Sequence, residues 1–323
     1  MIRLEWLPVA TFATASAIMF HRYRMKTRAK KRFAGIELGG TTWLIAIAEG
    51  DVTNIVAKVK VITTTPEETL KNAINWLKTQ RFDAIGIASF GPVDLNMESD
   101  TYGYITKTPK PGWSNTEIVG VFRRAFPGTP IKFDTDVNAP ALYEVTQGGH
   151  GNITSACYIT VGTGVGVGVA VGSVPVHGLM HPEGGHIRVP LSPHDIENGF
   201  HGVCPFHSDC VEGMVGNRSI AARTGVDRHN LHTIPDSDSI WPTLAHYLAH
   251  LCANLLFTVS PQVIVIGGGL SKRPILLQLL RQKFETIVND YVQYPPVDQY
   301  IVSSFHKHVG LIGSLELARL ALV

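Results

Sequence analysis

The chain has 323 residues, 45% of them hydrophobic, and its 28 basic and 26 acidic side chains nearly cancel to a net charge of +2. That is enough apolar sequence for two medium domains or one large one. A dense share of the basic residues lies in the first 32 positions, which leaves a mildly acidic body and excludes the clustered Lys/Arg face that a nucleic-acid surface needs.

Residues 1–32 read as a separate extension. Leu7 to Phe20 is apolar but shorter than the roughly 20 residues of a membrane span, and the basic run HRYRMKTRAKKR follows it, the reverse of the charge order in a secretory signal. An organelle-directed anchor, an Arg-rich transit segment and a disordered extension with Met25 as the true start all stay open. The expected location is cytoplasmic, with any membrane or organelle association carried by residues 1–32. Four cysteines make no disulfide framework, and Cys157 and Cys252 sit in apolar runs as core thiols, so the expected compartment is reducing.

Folded sequence is expected from Phe33. FAGIEL and WLIAIA read as two strands joined at Gly39-Gly40, a hairpin whose tip is nearly bare backbone. VAKVKVIT is a third strand. Thr65-Pro66-Glu67-Glu68 has capping-box spacing with Pro at the first helical position, and Leu70, Ala73, Ile74 and Leu77 share one face, which predicts a helix to about Gln80. DAIGIAS is a buried strand, 101–116 a loop dense in Pro and Gly, and 117–126 helical. IKFDT is a strand that delivers Asp136 to a helix over Val137 to Tyr143.

ACYITVGTGVGVGVAV then repeats the opening pattern of strand, glycine turn and strand. Two such openings suggest a duplicated α/β unit with its ligand between the halves. Residues 177–215 are rich in His, Gly, Pro and Cys with little periodicity, a length and composition typical of functional loops. Trp241 to Val259 is an apolar helix, PQVIVIGGGLS a buried strand, 274–290 a helix, and Leu311 to Leu322 an apolar helix expected to pack back on the first domain.

Three glycine clusters follow strands: Gly39-Gly40-Thr41, Gly162-Thr163-Gly164 and Gly267-Gly268-Gly269. Glycine at a strand exit lets backbone N–H groups approach an anion, and a Thr hydroxyl adds a donor, as polyphosphate binding requires. Tight turns alone also explain any one of them. GxxxxGK[ST], GxGxxG and the protein-kinase catalytic loop are absent, so nucleotide binding would be of another architecture. Asp136, where a strand passes into a helix, is a candidate general base whose ionised form the helix N-terminus favours; the alternative is a plain helix cap. Cys204, His207 and Cys210, with His186 eighteen residues earlier, can supply a closed Cys2His2 set suited to structural Zn²⁺. The rivals are a Cys204–Cys210 disulfide, or His181, His194 or His201 in place of His186.

ELGGTT (37–42), FGPVD (90–94), TPKPGW (108–113), TDVNA (135–139), ITVGTGVGVG (159–168), HPEGGHI (181–187), CPFHSDC (204–210) and VIVIGGG (263–269) together resemble, in order, the ROK family of bacterial-type sugar kinases. TYGYITKTPKPGW and CPFHSDC are most similar to its zinc-containing fructokinase branch, and the resemblance covers about 33–320. It implies an α/β, two-domain actin-like (ribonuclease H-like) ATPase fold with a cleft between duplicated domains. The expected division is 33–140 plus 305–323 against 141–304, with a zinc-binding loop at 181–212.

The resemblance also implies roles. Asp136 matches the catalytic base, and Asn138, Glu183 and His186 match sugar-contacting positions. Gly39, Gly40 and Thr41, with Gly162, Thr163 and Gly164, match phosphate-facing loops, while Gly268 lies near the adenosine. His186, Cys204, His207 and Cys210 match the zinc ligands, and Glu37 could orient hydrated Mg²⁺. The implied reaction is phosphorylation of fructose by ATP, with Asp136 taking the hydroxyl proton. Homodimers are common in the family, so one is expected here.

Three positions depart from the family pattern. Thr42 replaces a Lys, Arg218 a Pro, and Gly184 stands between Glu183 and His186, where it is expected to loosen the backbone. Two other functions compete: a glucose, mannose or broad hexose kinase, because hydroxyl selectivity depends on pocket geometry, and a weakly active sugar-binding regulator.

Overall fold

The structure is a computed structural model that describes residues 30–323. The expectations for the N-terminal extension therefore lie almost wholly outside the described residues. Among the described residues no helix is long and apolar enough to cross a membrane.

Two five-stranded sheets are built on one plan. The first uses β1 (Arg32–Leu38), β2 (Thr42–Glu49), β3 (Ile55–Ile62), β4 (Ala84–Ser89) and β7 (Ile131–Thr135) in the order β3-β2-β1-β4-β7. The second uses β8 (Ala156–Val161), β9 (Val165–Val171), β10 (Val174–Pro175), β11 (Ile264–Gly267) and β12 (Ile301–Ser303) in the order β10-β9-β8-β11-β12. In each sheet the first three strands form an antiparallel meander, the first strand then pairs in parallel with the fourth, and the fourth in parallel with the fifth. This common order is the physical form of the repeat seen in sequence. A small pair, β5 (Tyr104–Ile105) and β6 (Thr116–Glu117), lies in the loop that joins β4 to the next helix.

The helices follow from local chemistry. α1 (Pro66–Leu77) starts where the Thr65 hydroxyl accepts the Glu68 N–H, and it ends three residues earlier than expected because its buried face of Thr69, Leu70, Ala73 and Leu77 runs out. α2 (Val119–Ala125) covers the first sheet. α3 (Asn138–Gln147) is a turn longer than predicted, because Ala141 to Val145 are all buried between the second sheet and a crossing helix. The domain division expected between residues 140 and 141 thus falls inside α3.

Segment 177–215 has more structure than its weak periodicity suggested. It holds a single turn at Gly184–His186, α4 (Pro193–Asn198) and α5 (Val211–Val215), elements too short to leave a hydrophobic repeat. α6 (Asn217–Thr224), α7 (Ile240–Thr258), α8 (Pro274–Val288), α9 (Val297–Tyr300) and α10 (Val309–Leu320) complete the chain. Asp195, 1% exposed, pins this loop to the core: Arg223 donates to it through Nε and a terminal nitrogen, and the Tyr247 and Ser192 hydroxyls add two more bonds. Such a buried charge is tolerable because it is both paired and hydrogen-bonded.

α7 is buried on nearly every face and forms the centre of the second half, with Cys157 and Cys252 in its core as expected. α10 lies against β1, β4 and α3, so the terminal helix returns to the first sheet as expected.

Candidate active site

The register of the first sheet brings three chain positions to one edge. Leu38 pairs with Ser89, and Ser89 with Thr135, so Gly39, Phe90 and Asp136 leave the C-terminal ends of neighbouring parallel strands together. Ligands of open α/β sheets bind outside such ends. The Asp136 N–H donates to the Ser89 carbonyl at 2.8 Å, and the Thr135 hydroxyl accepts the Asn138 N–H at 2.9 Å, which closes the turn that carries Asp136. In the second sheet Gly267 pairs with Thr160, which places the Gly162–Gly164 turn beside Gly268 by the same logic.

Asp136 is not the freely ionised carboxylate expected from the helix N-terminus. Burial, and then the charges of Glu37 and Glu183, push its pKa up to about 8. Burial likewise raises Glu37 to about 7, although the Leu311 N–H bonds its carboxylate, and burial followed by Glu212 raises Glu183 to about 7. Helix-end partial charge acts only over a turn at modest strength, and desolvation beside two other carboxylates outweighs it. The outcome is a carboxyl poised near neutral pH, a stronger proton acceptor than an ordinary aspartate.

Asn138 is fully buried. Its Oδ1 accepts the Val169 N–H at 3.0 Å, and its Nδ2 has no partner among the described residues. Glu183 lies on the turn before His186, with Oε2 3.9 Å from His186 Nε2. His186 divides its two nitrogens: Nε2 faces Glu183, and Nδ1 joins a cluster with Cys204 Sγ (3.8 Å), His207 Nδ1 (3.3 Å) and Cys210 Sγ (3.6 Å).

The four cluster atoms lie within 4.8 Å of one another. Tetrahedral zinc with Zn–N near 2.0 Å and Zn–S near 2.3 Å sets its ligand atoms roughly 3.3–3.8 Å apart, so these side chains fit that ion. Cys204 and Cys210 are free thiols, not a disulfide. His181 and His194 are engaged elsewhere, with the Val93 N–H and with Asn198.

The hairpin turns are placed as expected at the strand ends, with Gly39 and Thr42 bonded across the first tip and Gly162 and Gly164 across the second. Gly268 has φ +84°, and a Cβ there would stand 2.4 Å from the Val161 carbonyl oxygen, so its backbone lies directly on the second hairpin. α6 joins that hairpin through Asn217 N–H to Gly162 O, which leaves Arg218 exposed in its first turn. Gly184 does not loosen its segment: a Cβ there would meet the Val167 side chain at 2.9 Å, so the glycine lets the turn press against β9.

Residue-type reasoning missed Lys110. Its ammonium donates to the Gly40 carbonyl, bringing a positive charge to the hairpin where Thr42 carries none. The loop that bears it is anchored by Trp113, fully buried against Trp43 and Phe90, with its indole N–H on the Thr64 carbonyl at 3.0 Å. The signal was present as TPKPGW, whose Trp is the anchor and whose Lys is the reach.

The sequence pattern of the ROK family matches residues 33–321. The chain belongs to the ROK family. It is 41% identical over 289 residues to a protein named fructokinase from Lactococcus lactis subsp. cremoris, covering 88% of this chain and 96% of that one. It is 38% identical over 296 residues to a fructokinase from Zymomonas mobilis subsp. mobilis, covering 90% and 97%. Among solved structures it is similar to a ROK hexokinase from Thermus thermophilus, with a TM-score of 0.71 at 23% identity over 90% of this chain and 99% of that one. A ROK family glucokinase from Streptomyces griseus, solved with glucose and AMPPNP, gives a TM-score of 0.71 at 21% identity over the same shares. The fold is the two-domain, actin-like ATPase fold of these ROK sugar kinases.

Proposed function

We infer that the protein is an ATP-dependent carbohydrate kinase, and specifically a fructokinase that converts fructose and ATP to fructose 6-phosphate and ADP. The observation that carries the reading is the position of Asp136, at the strand-end edge that also bears the Gly39 turn and within electrostatic reach of Glu37 and Glu183. The preference for fructose is supported by the relatives at 41% and 38% identity.

In this reading a hexose hydroxyl stands before Asp136, which accepts its proton as the oxygen attacks the γ-phosphorus of ATP and the bond to the β-phosphate oxygen breaks. Asn138 Nδ2, a buried donor without a partner among the described residues, would be satisfied by a sugar oxygen, and Glu183 would accept from a second hydroxyl. Backbone N–H groups at the tips of the 39–41 and 162–164 turns, those of Gly40, Thr41, Thr163 and Gly164, with the Thr41 and Thr163 hydroxyls and Lys110, would hold the phosphates, while the Gly39 and Gly162 N–H groups close the turns. Gly268 would back the adenosine. Mg²⁺ would supply charge neutralisation on the β- and γ-oxygens, and Glu37 would orient its hydration shell.

Zn²⁺ on His186, Cys204, His207 and Cys210 would leave no open position, so its part is to hold the loop that carries Glu183. Two thiolate ligands would need a reducing compartment, in keeping with four free cysteines.

A coupled assay of ADP release with fructose, glucose and mannose tests the assignment. Fastest turnover with fructose upholds it, and a higher kcat/KM for glucose or mannose replaces it with the broader hexose kinase. Sugar binding without turnover would mark a regulator.

A further inference from the structure

His181 was singled out in sequence only as a stand-in zinc ligand, and the cluster does not use it. It is 4% exposed and spans the two halves of the fold. On one side its Nε2 accepts the Val93 N–H at 3.1 Å, and its ring lies so close to Gly91 that a Cβ there would be 3.2 Å from Cε1. On the other side its Nδ1 is 3.4 Å from the Pro182 carbonyl and 3.6 Å from Glu183 Oε1. The Val93 N–H occupies the Nε2 lone pair, which fixes a neutral ring with its proton on Nδ1, where the Pro182 carbonyl accepts it and the Glu183 carboxylate lies just beyond hydrogen-bond distance. Burial favours the same neutral form.

Val93 follows β4 in the first half, whereas Glu183 hangs from the second-half loop that ends at the Cys/His cluster. A second histidine strengthens the crossing: His177 Nε2 lies 2.9 Å from Asp134 Oδ2 on β7. Segment 177–183 is therefore strapped to the first half at both ends, and the Glu183 carboxylate lies between the His181 and His186 rings, 3.6 Å from one and 3.9 Å from the other.

We propose that His181 is a positioning residue for the sugar: through Nε2 on the Val93 N–H and Nδ1 on the Pro182 carbonyl it ties the backbone that carries Glu183 to the 91–93 segment, so that hexose affinity depends on it while nucleotide affinity does not. This rests on the fructokinase reading above. A carboxylate carried on a backbone that is already fixed gives up less freedom when it accepts a sugar hydroxyl, and that saving appears in binding.

The test uses the full chain and compares His181→Leu, His181→Gln and His181→Asn. Gln carries its terminal acceptor at the Nε2 distance and can keep the Val93 bond, whereas Asn reaches only the Nδ1 distance. Leu and Asn are expected to raise KM for fructose about tenfold, the worth of roughly one hydrogen bond, with KM for ATP within about twofold of wild type and bound metal unchanged. Gln should restore most of the affinity for fructose. Should the Leu variant not fold, the Gln and Asn pair still decides. Equal KM for fructose in those two, or KM values for fructose and ATP that rise together, would overturn the proposal. Wild-type protein that does not phosphorylate fructose would overturn the functional reading instead, so the two failures are distinguishable.

Discussion

Gly168 and Val137 approach so closely that a Cβ on Gly168 would stand 1.9 Å from the Val137 carbonyl oxygen. The contact presses β9 against the turn that bears Asp136. Gly168→Ala must therefore move either the strand or the turn. The expected cost is about 1–3 kcal/mol of stability, with kcat falling more than the fraction of unfolded protein explains. Thermal melts beside initial rates check this, and a wild-type kcat would disconnect the strand from the base.

Asp136→Asn keeps the shape and removes the proton acceptor. The expected loss in kcat is about 10²–10⁴-fold, with fructose still bound. Isothermal titration of fructose, run beside the rate assay, separates the two.

The raised carboxyls fix a pH dependence. A base acts when ionised, so kcat/KM for fructose should rise with pH through the neutral range towards about 8, well above an ordinary aspartate limb. Stability of the unliganded protein should run the other way. The folded pKa values of Asp136 and Glu37 lie above their unfolded values, so their protonated forms favour folding below the unfolded pKa, and that contribution is lost as pH rises through about 7 to 8. Tm should fall between pH 6 and 8.5, and Asp136→Asn should lessen the fall by about 2 °C or more. An equal fall in both proteins would refute the assignment to Asp136.

Cys204→Ser, or prolonged chelation, should remove one zinc ion per chain and lower Tm, because the loop loses the ligand that closes it. Metal analysis measures the first effect and calorimetry the second. Unchanged metal content would reject the four-residue set.

The sequence disclosed what depends on neighbours along the chain. Strands, the two glycine hairpins, the Thr65 cap and the spacing from His186 to Cys210 are all local signals, and the repeat of the hairpin implied the common sheet order. What it withheld depends on distant segments meeting. His181 and Val93 are 88 positions apart, and no periodicity links a ring nitrogen to that backbone N–H. The charge state of Asp136 was misread for the same reason: the helix start was visible, but the burial and the arrival of Glu37 and Glu183 were not. Gly184 looked permissive until Val167 was seen against it.

α10 covers β1 and β4, and among the described elements the ribosome makes it last. A Cβ on Gly86 would lie 1.9 Å from the Ser314 carbonyl oxygen, so no other segment could sit in its place without retreating from the sheet. The sheet that opens the chain is thus covered by a helix from its far end, so the burial of that face waits on residues 309–320. A chain shortened before residue 309 would leave the β1 and β4 side chains that α10 covers open to water.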